Sequence, residues 1–251
     1  MKNFSILFKA EFRRFWSPAM LIAALGIVGI GEVIEFIIAS AAQIQKASVA
    51  GGTSLGLVST FAVLLFSAGI VGGDIRSGWM RTVLIRSVTR QQYVLTKLAV
   101  VGTATLLAML LTVAIPVVYF SAIAPQKIAF DAAATMTFFL LTSCQTILLI
   151  IVSAFVSCWL TGAFNSLVVY IWISAAGILE MFIGRTYWNV SWLMTAKDFL
   201  FPSGFQNAQT AVKLGASFPT ADILWGTASV AFFLSLTLFS INKVQVDVST
   251  E

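Results

Sequence analysis

The stretch LAVVGTATLLAMLLTVAIPVVYF, residues 98–120, contains no charged side chain. A bilayer core of about 30 Å is crossed by about 20 predominantly apolar residues wound as a helix, which pairs its own backbone polar groups where water is absent. The run therefore reads as a transmembrane helix. Apolar runs at 18–40, 54–73, 135–157, 163–183 and 223–241 read the same way. The expected fold is an all-α integral membrane protein with six transmembrane helices, forming a single transmembrane domain over residues 1–251. Composition points in the same direction, with 59% hydrophobic and 10% charged residues and a mean hydropathy of +0.96. A soluble domain carries roughly a quarter charged residues.

Several function classes are disfavoured. The chain has no histidine, which removes the commonest metal ligand and general base. No metal site and no catalytic residue is expected. Cys144 and Cys158 show no CxxC spacing and read as packing residues. No GxxxxGK[ST] occurs, and Gly51, Gly52 and Gly56 are not followed by Lys-Ser or Lys-Thr, so no phosphate-cradling loop is expected. The chain binds no cofactor of its own on this reading.

Residues 1–17 precede the first span. Phe4, Leu7, Phe8, Phe12 and Phe15 recur at helical spacing, with Lys2, Lys9, Glu11, Arg13 and Arg14 between them. This predicts an interfacial helix with its aromatic face in lipid and its basic face toward headgroups. Residues 74–97 hold Asp74, Arg76, Arg81, Arg86, Arg90 and Lys97 interleaved with Trp79, Met80, Val83, Leu84, Ile85, Val88 and Tyr93. Such a segment lies outside the hydrocarbon, with one face against the membrane or a partner. Residues 184–222 are too aromatic for a solvated loop and read as an external re-entrant segment of short helices before the last span.

With the N-terminus inside, Lys2, Lys9, Arg13, Arg14, Arg76, Arg81, Arg86, Arg90, Lys97 and Lys243 fall on the cytoplasmic side. Lys46, Lys127, Arg185, Lys197 and Lys213 fall outside. The positive-inside rule favours this orientation, with both termini cytoplasmic. A multi-pass protein of a cell membrane, the bacterial inner or plasma membrane, is expected.

Glu32 and Glu35 share a face of the first span, and Glu180 lies late in the fifth. Carboxylates at such depth are expensive and mark pathway or proton residues when they are not simply hydrated at a helix end. They carry the alternative function, a proton-coupled secondary transporter. Gly69 and Gly73 make a GxxxG step that lets helices approach closely, between subunits or within the chain.

The segment after the second span resembles the permease subunits of ABC-2 type ABC transporters. In that family an acidic residue closes the second span, a glycine follows four residues later, and a Leu-Leu-x-x-Pro-Val-Ser-Arg-like stretch precedes a tyrosine and a lysine. The corresponding residues here are Asp74, Gly78, Val83-Leu84-Ile85, Ser87-Val88-Thr89-Arg90, Tyr93 and Lys97. Trp79 and Ser87 replace the family's usual threonine and proline. The interfacial helix with Glu11, the six spans and the membrane-dipping segment extend the resemblance over nearly the whole chain.

The resemblance implies an ABC-2, type V exporter-like fold with residues 74–97 as a coupling helix. Two permease chains, identical or not, would form the pathway, and separate ATPase subunits would hold ATP and magnesium. Asp74, Arg76, Gly78, Arg81, Arg86 and Arg90 are then the expected coupling or contact residues, with Glu11 and Arg14 in support. An amphipathic peptide, lipid-linked molecule or drug is the expected cargo. No nucleic-acid partner is expected.

Overall fold

The computed structural model describes residues 2–41, 52, 54–85, 88–123, 131–160, 162–187, 191–215 and 219–243, and the regular elements among these are all helices. In chain order they are α1 (Lys2–Phe15), α2 (Pro18–Ala41), α3 (Ser54–Phe66), α4 (Gly72–Arg76), α5 (Trp79–Leu84), α6 (Arg90–Ile123), α7 (Ala132–Ser157), α8 (Ala163–Tyr187), α9 (Ser191–Leu200), α10 (Ser203–Lys213) and α11 (Thr220–Lys243).

Four helices are long and apolar enough to cross a membrane, over Pro18–Ile37, Arg90–Tyr119, Ala132–Ser157 and Thr220–Lys243. Ser54–Phe66 and the Ala163–Ala175 part of α8 are apolar but shorter. Thirteen residues of α3 span only about 20 Å at about 1.5 Å per residue.

The expected continuous span at 54–73 is thus corrected. α3 stops at Phe66, Gly69 takes φ +69°, and the chain turns before α4. A left-handed residue cannot continue a right-handed helix, and glycine adopts it without the Cβ clash. Gly69 and Gly73 therefore do not form a step along one helix. A Cβ at Gly69 would lie 3.5 Å from the Gly162 amide nitrogen, so the glycine faces the α7–α8 turn of its own chain.

α7 is the central helix, with 67% of its apolar window buried against 22% for α2 and 28% for α11. It touches α3, α6, α8, α10 and α11. α2 lies outermost and presents Leu21, Ile22, Leu25, Ile30, Val33 and Ile37 on an exposed face. Asp131 opens α7 by accepting from the Ala133 and Ala134 amides at 2.9 and 3.0 Å. This pairs two of the donors left free at a helix start.

α9 and α10 form the helical content of the segment before α11. α10 is seated in protein: Phe205 and Ala208 join Leu141, Leu148 and Phe233 in one buried cluster. At Gly204 an added Cβ would come within 2.6 Å of the Asp222 carbonyl oxygen, so the two backbones are in direct contact.

α1 departs from its expected orientation. Phe4, Phe8, Phe12 and Trp16 form a ladder with ring centroids 6.5, 5.7 and 6.0 Å apart. Leu7, Phe15 and Trp16 instead pack on the buried cluster containing Phe66, Met80 and Tyr93. Glu11 is buried, so part of the aromatic face covers protein. Lys9 and Arg13 stay exposed.

Candidate functional site

Three segments far apart in sequence meet where α1 crosses the start of α6. Glu11 and Asp74, 2% and 6% exposed, are the two carboxylates of the site. The Lys97 ammonium stands 2.6 Å from Glu11 Oε2 and 2.6 Å from Asp74 Oδ2. Arg14 donates to Asp74 Oδ1 at 2.8 Å and lies 3.7 Å from Glu11 Oε2. Trp79 Nε1 donates to Glu11 Oε1 at 2.8 Å, and the Tyr93 hydroxyl donates to Asp74 Oδ2. The Arg14 guanidinium lies over the Trp79 ring, 4.6 Å from its centroid.

Two carboxylates face two cations, so the cluster is neutral. Burial alone would raise the pKa of Asp74, but Lys97, Tyr93 and Arg14 outweigh it and hold the carboxyl below its ordinary range. Every carboxylate oxygen of the cluster has a donor. Such a closed network is hard to open, because removing one partner leaves an uncompensated buried charge. It clamps α4–α5 between the N-terminal helix and α6.

The expected contact residues divide into two groups around this clamp. Asp74, Glu11 and Arg14 are inside it. Arg76 and Gly78 are exposed and Arg81 is half-buried; Ser77, Thr82 and Ile85, which were not among the expected residues, are exposed beside them. Gly78 takes φ +72° at the start of α5, where it redirects the chain from α4. Arg86 lies outside the described residues. Arg90 donates to the carbonyls of Ile241 and Asn242 at 3.4 and 3.3 Å, closing the C-terminal end of α11 instead of standing free on the surface.

A second polar cluster holds the break after α3. Asn165 donates to the Ser67 carbonyl at 3.2 Å and to Ser153 Oγ at 3.1 Å. Ser67 Oγ donates to Ser153 Oγ at 2.7 Å, Ser166 Oγ to the Leu64 carbonyl at 2.8 Å, and the Val71 amide to Ser157 Oγ at 3.3 Å. Orphan groups of the broken helix are thereby paired by α7 and α8. These residues escape sequence reading because serine and asparagine inside apolar runs look like tolerated exceptions.

At the opposite end of the bundle, Glu35 Oε2 accepts from the Ser54 amide at 3.1 Å. Glu32 is 6% exposed, and neither carboxyl oxygen has a hydrogen-bond partner. Lys213 of α10, expected on the outer side away from any span, interacts electrostatically with Glu35. The side chain of Glu180 lies outside the described residues. No group of three or more Asp, Glu or Cys suited to a metal is found among the described residues. Neither a protein-family model nor a curated protein matches the sequence.

Proposed function

We propose that this chain is the membrane subunit of an ATP-driven exporter of the ABC-2 type. In this reading it crosses a cell membrane six times with both termini cytoplasmic. α3 together with the turn that follows it, and α8, supply the two spans beyond the four long helices. A helix break at membrane depth is acceptable when protein side chains pair its backbone, as Asn165 and Ser166 do here.

The observation that carries the reading is the clamp. Residues at the positions of the ABC-2 resemblance, Asp74, Tyr93 and Lys97, converge with Glu11 and Arg14 into one neutral network around two buried carboxylates. A segment that transmits motion from a partner must be stiffly joined to the helices it moves, since coupling needs an element with discrete arrangements rather than a pliant loop. α4–α5 has that rigid root and an exposed basic tip. The partner is a separate ATPase subunit, which holds ATP and magnesium, and a second permease chain completes the pathway.

Gentle purification from native membranes tests the assignment. An ATP-hydrolysing subunit should accompany the chain, and Arg76→Glu with Arg81→Glu should release it while the variant keeps its thermal stability. A stable, correctly inserted chain that brings no ATPase would sink the assignment.

A further inference from the structure

The outer end of α2 carries a site that the clamp and its partner leave unused. Glu32 stands 14 residues into α2 from Pro18, about 21 Å along the axis at about 1.5 Å per residue, in the outer third of a 30 Å core. It is 6% exposed and both oxygens are unpartnered. Ser54 Oγ, on a residue with no exposure, is also buried and unpartnered. Ser54 adjoins the same turn of α2: its amide donates to Glu35, and its Cβ lies 3.6 Å from where a side chain on Gly31 would begin. Glu32 and Ser54 therefore leave three buried oxygens without a partner, whereas buried polar atoms are as a rule paired.

The neighbouring groups indicate what would pair them. Lys213 places its ammonium 4.7 Å from the centroid of the Phe138 ring, against the Gly52 carbonyl and in the field of Glu35. This end of the protein already accommodates one ammonium with a carboxylate, a carbonyl and an aromatic face. One turn beyond Glu32, Phe36 meets Tyr119 of α6 edge to face at 4.7 Å, and Tyr119 is 41% exposed. Carboxylate plus aromatic surface is the chemistry that binds organic cations.

We propose that Glu32, with Ser54 and the Phe36–Tyr119 pair, forms a binding site for the ammonium group of an amphipathic organic cation. The inference rests on the exporter reading for the meaning of the site, as selection of cationic cargo. Binding itself needs neither ATP nor a second subunit.

The full chain in lipid nanodiscs, without any ATPase, is titrated with dansylcadaverine, an aromatic amphiphile bearing one primary ammonium, and with its N-acetylated neutral twin. Binding is read from dansyl fluorescence at neutral pH. The ammonium form should bind at least about tenfold tighter than the neutral twin, and Glu32→Gln, which keeps side-chain size, should abolish that preference. Ser54→Ala should reduce it. Equal binding of the two probes, or an ammonium preference that survives in Glu32→Gln, overturns the site. A Glu32→Gln chain that becomes more heat-stable while the native chain shows no ammonium preference also overturns it, by showing that Glu32 merely holds a proton. If the preference is found and no ATPase co-purifies, the site stands and the exporter assignment falls.

Discussion

Lys97 stands 2.6 Å from each of two carboxylates, and its side chain is 13% exposed. Its removal leaves Glu11 and Asp74 facing each other without their shared cation. Lys97→Met, which keeps the length of the side chain, is expected to cost about 3–5 kcal/mol, the usual penalty for breaking a buried pair. A fall in melting temperature in detergent measures it, and an unchanged value would show that the clamp is slack. Trp79→Phe keeps a ring but removes the donor to Glu11 Oε1, for an expected loss of about 1–3 kcal/mol. The acid response of the clamp follows from Asp74, whose carboxyl is held below its ordinary range by Lys97, Tyr93 and Arg14 against the effect of burial. The unfolded chain binds the proton more readily, so this contribution is complete above about pH 4 to 5 and is lost as the pH falls through the folded pKa. Melting temperature should therefore drop below about pH 4 in the native chain, and Asp74→Asn should lack that part of the drop. Asp74, Tyr93 and Lys97 stood out in the sequence only as positions of the ABC-2 resemblance, which marked Asp74 as a contact residue and gave Tyr93 and Lys97 no role of their own. What spacing could not give is direction: Asp74 turns inward to a cation contributed by α6, and only Arg76 and its exposed neighbours are free to meet a partner.

The break after α3 shows how side chains scattered over two other helices decide where an element ends. Hydropathy alone runs the second span through to Gly73, because Ser67, Ala68, Gly69, Ile70 and Val71 are small or apolar. The helix nonetheless stops at Phe66, and the carbonyls of Leu64 and Ser67 find donors in Ser166 and Asn165. Asn165 is fully buried, so Asn165→Leu removes both donated bonds at once and leaves the Ser67 carbonyl without its donor from α8. The expected cost is about 2–3 kcal/mol. Gly69→Val should be at least as damaging, because a β-branched residue strongly disfavours the φ of +69° found there. Proteolysis or cysteine accessibility at Ser77, just beyond α4, reports loosening of the segment. If both variants leave it as protected as in the native chain, the polar cluster does not anchor α4–α5. The long helices other than α6 were readable to within a few residues, since lipid imposes both their length and their composition. α6 begins at Arg90, eight residues before the apolar run at 98, so residues 90–97 belong to this helix and not to a separate segment 74–97. α3 was misread in length because its end is set by hydrogen bonds from α7 and α8, about which local sequence is silent.

At the scale of the whole molecule the decisive property is sidedness. α7 is central and α2 and α11 are peripheral, yet burial is indifferent to which end of the bundle faces the cytoplasm. The two ends differ in what they carry: the clamp, the exposed Arg76 and the end of α11 beside Arg90 gather at one end, while Ser54, Glu35 and Lys213 gather at the other, and labelling decides which end faces the cytoplasm. If the short apolar helices α3 and α8 cross with the four long ones, Ser77 and Ala132 lie on opposite faces of the membrane, since α6 alone separates them. Cys144 and Cys158 are the chain's two cysteines, so replacing both by alanine gives a background in which one new cysteine is read at a time. In intact cells a membrane-impermeant maleimide should label Ala132→Cys and leave Ser77→Cys untouched, and inside-out vesicles should reverse the pattern. The inverse labelling would place α4–α5 outside, where no ATPase could reach it, and the exporter reading would fail even with every helix correctly drawn. Labelling of both positions from one side would mean that α6 does not cross, which its Arg90–Tyr119 stretch of mean hydropathy 2.4 makes the costliest arrangement for this chain in a bilayer.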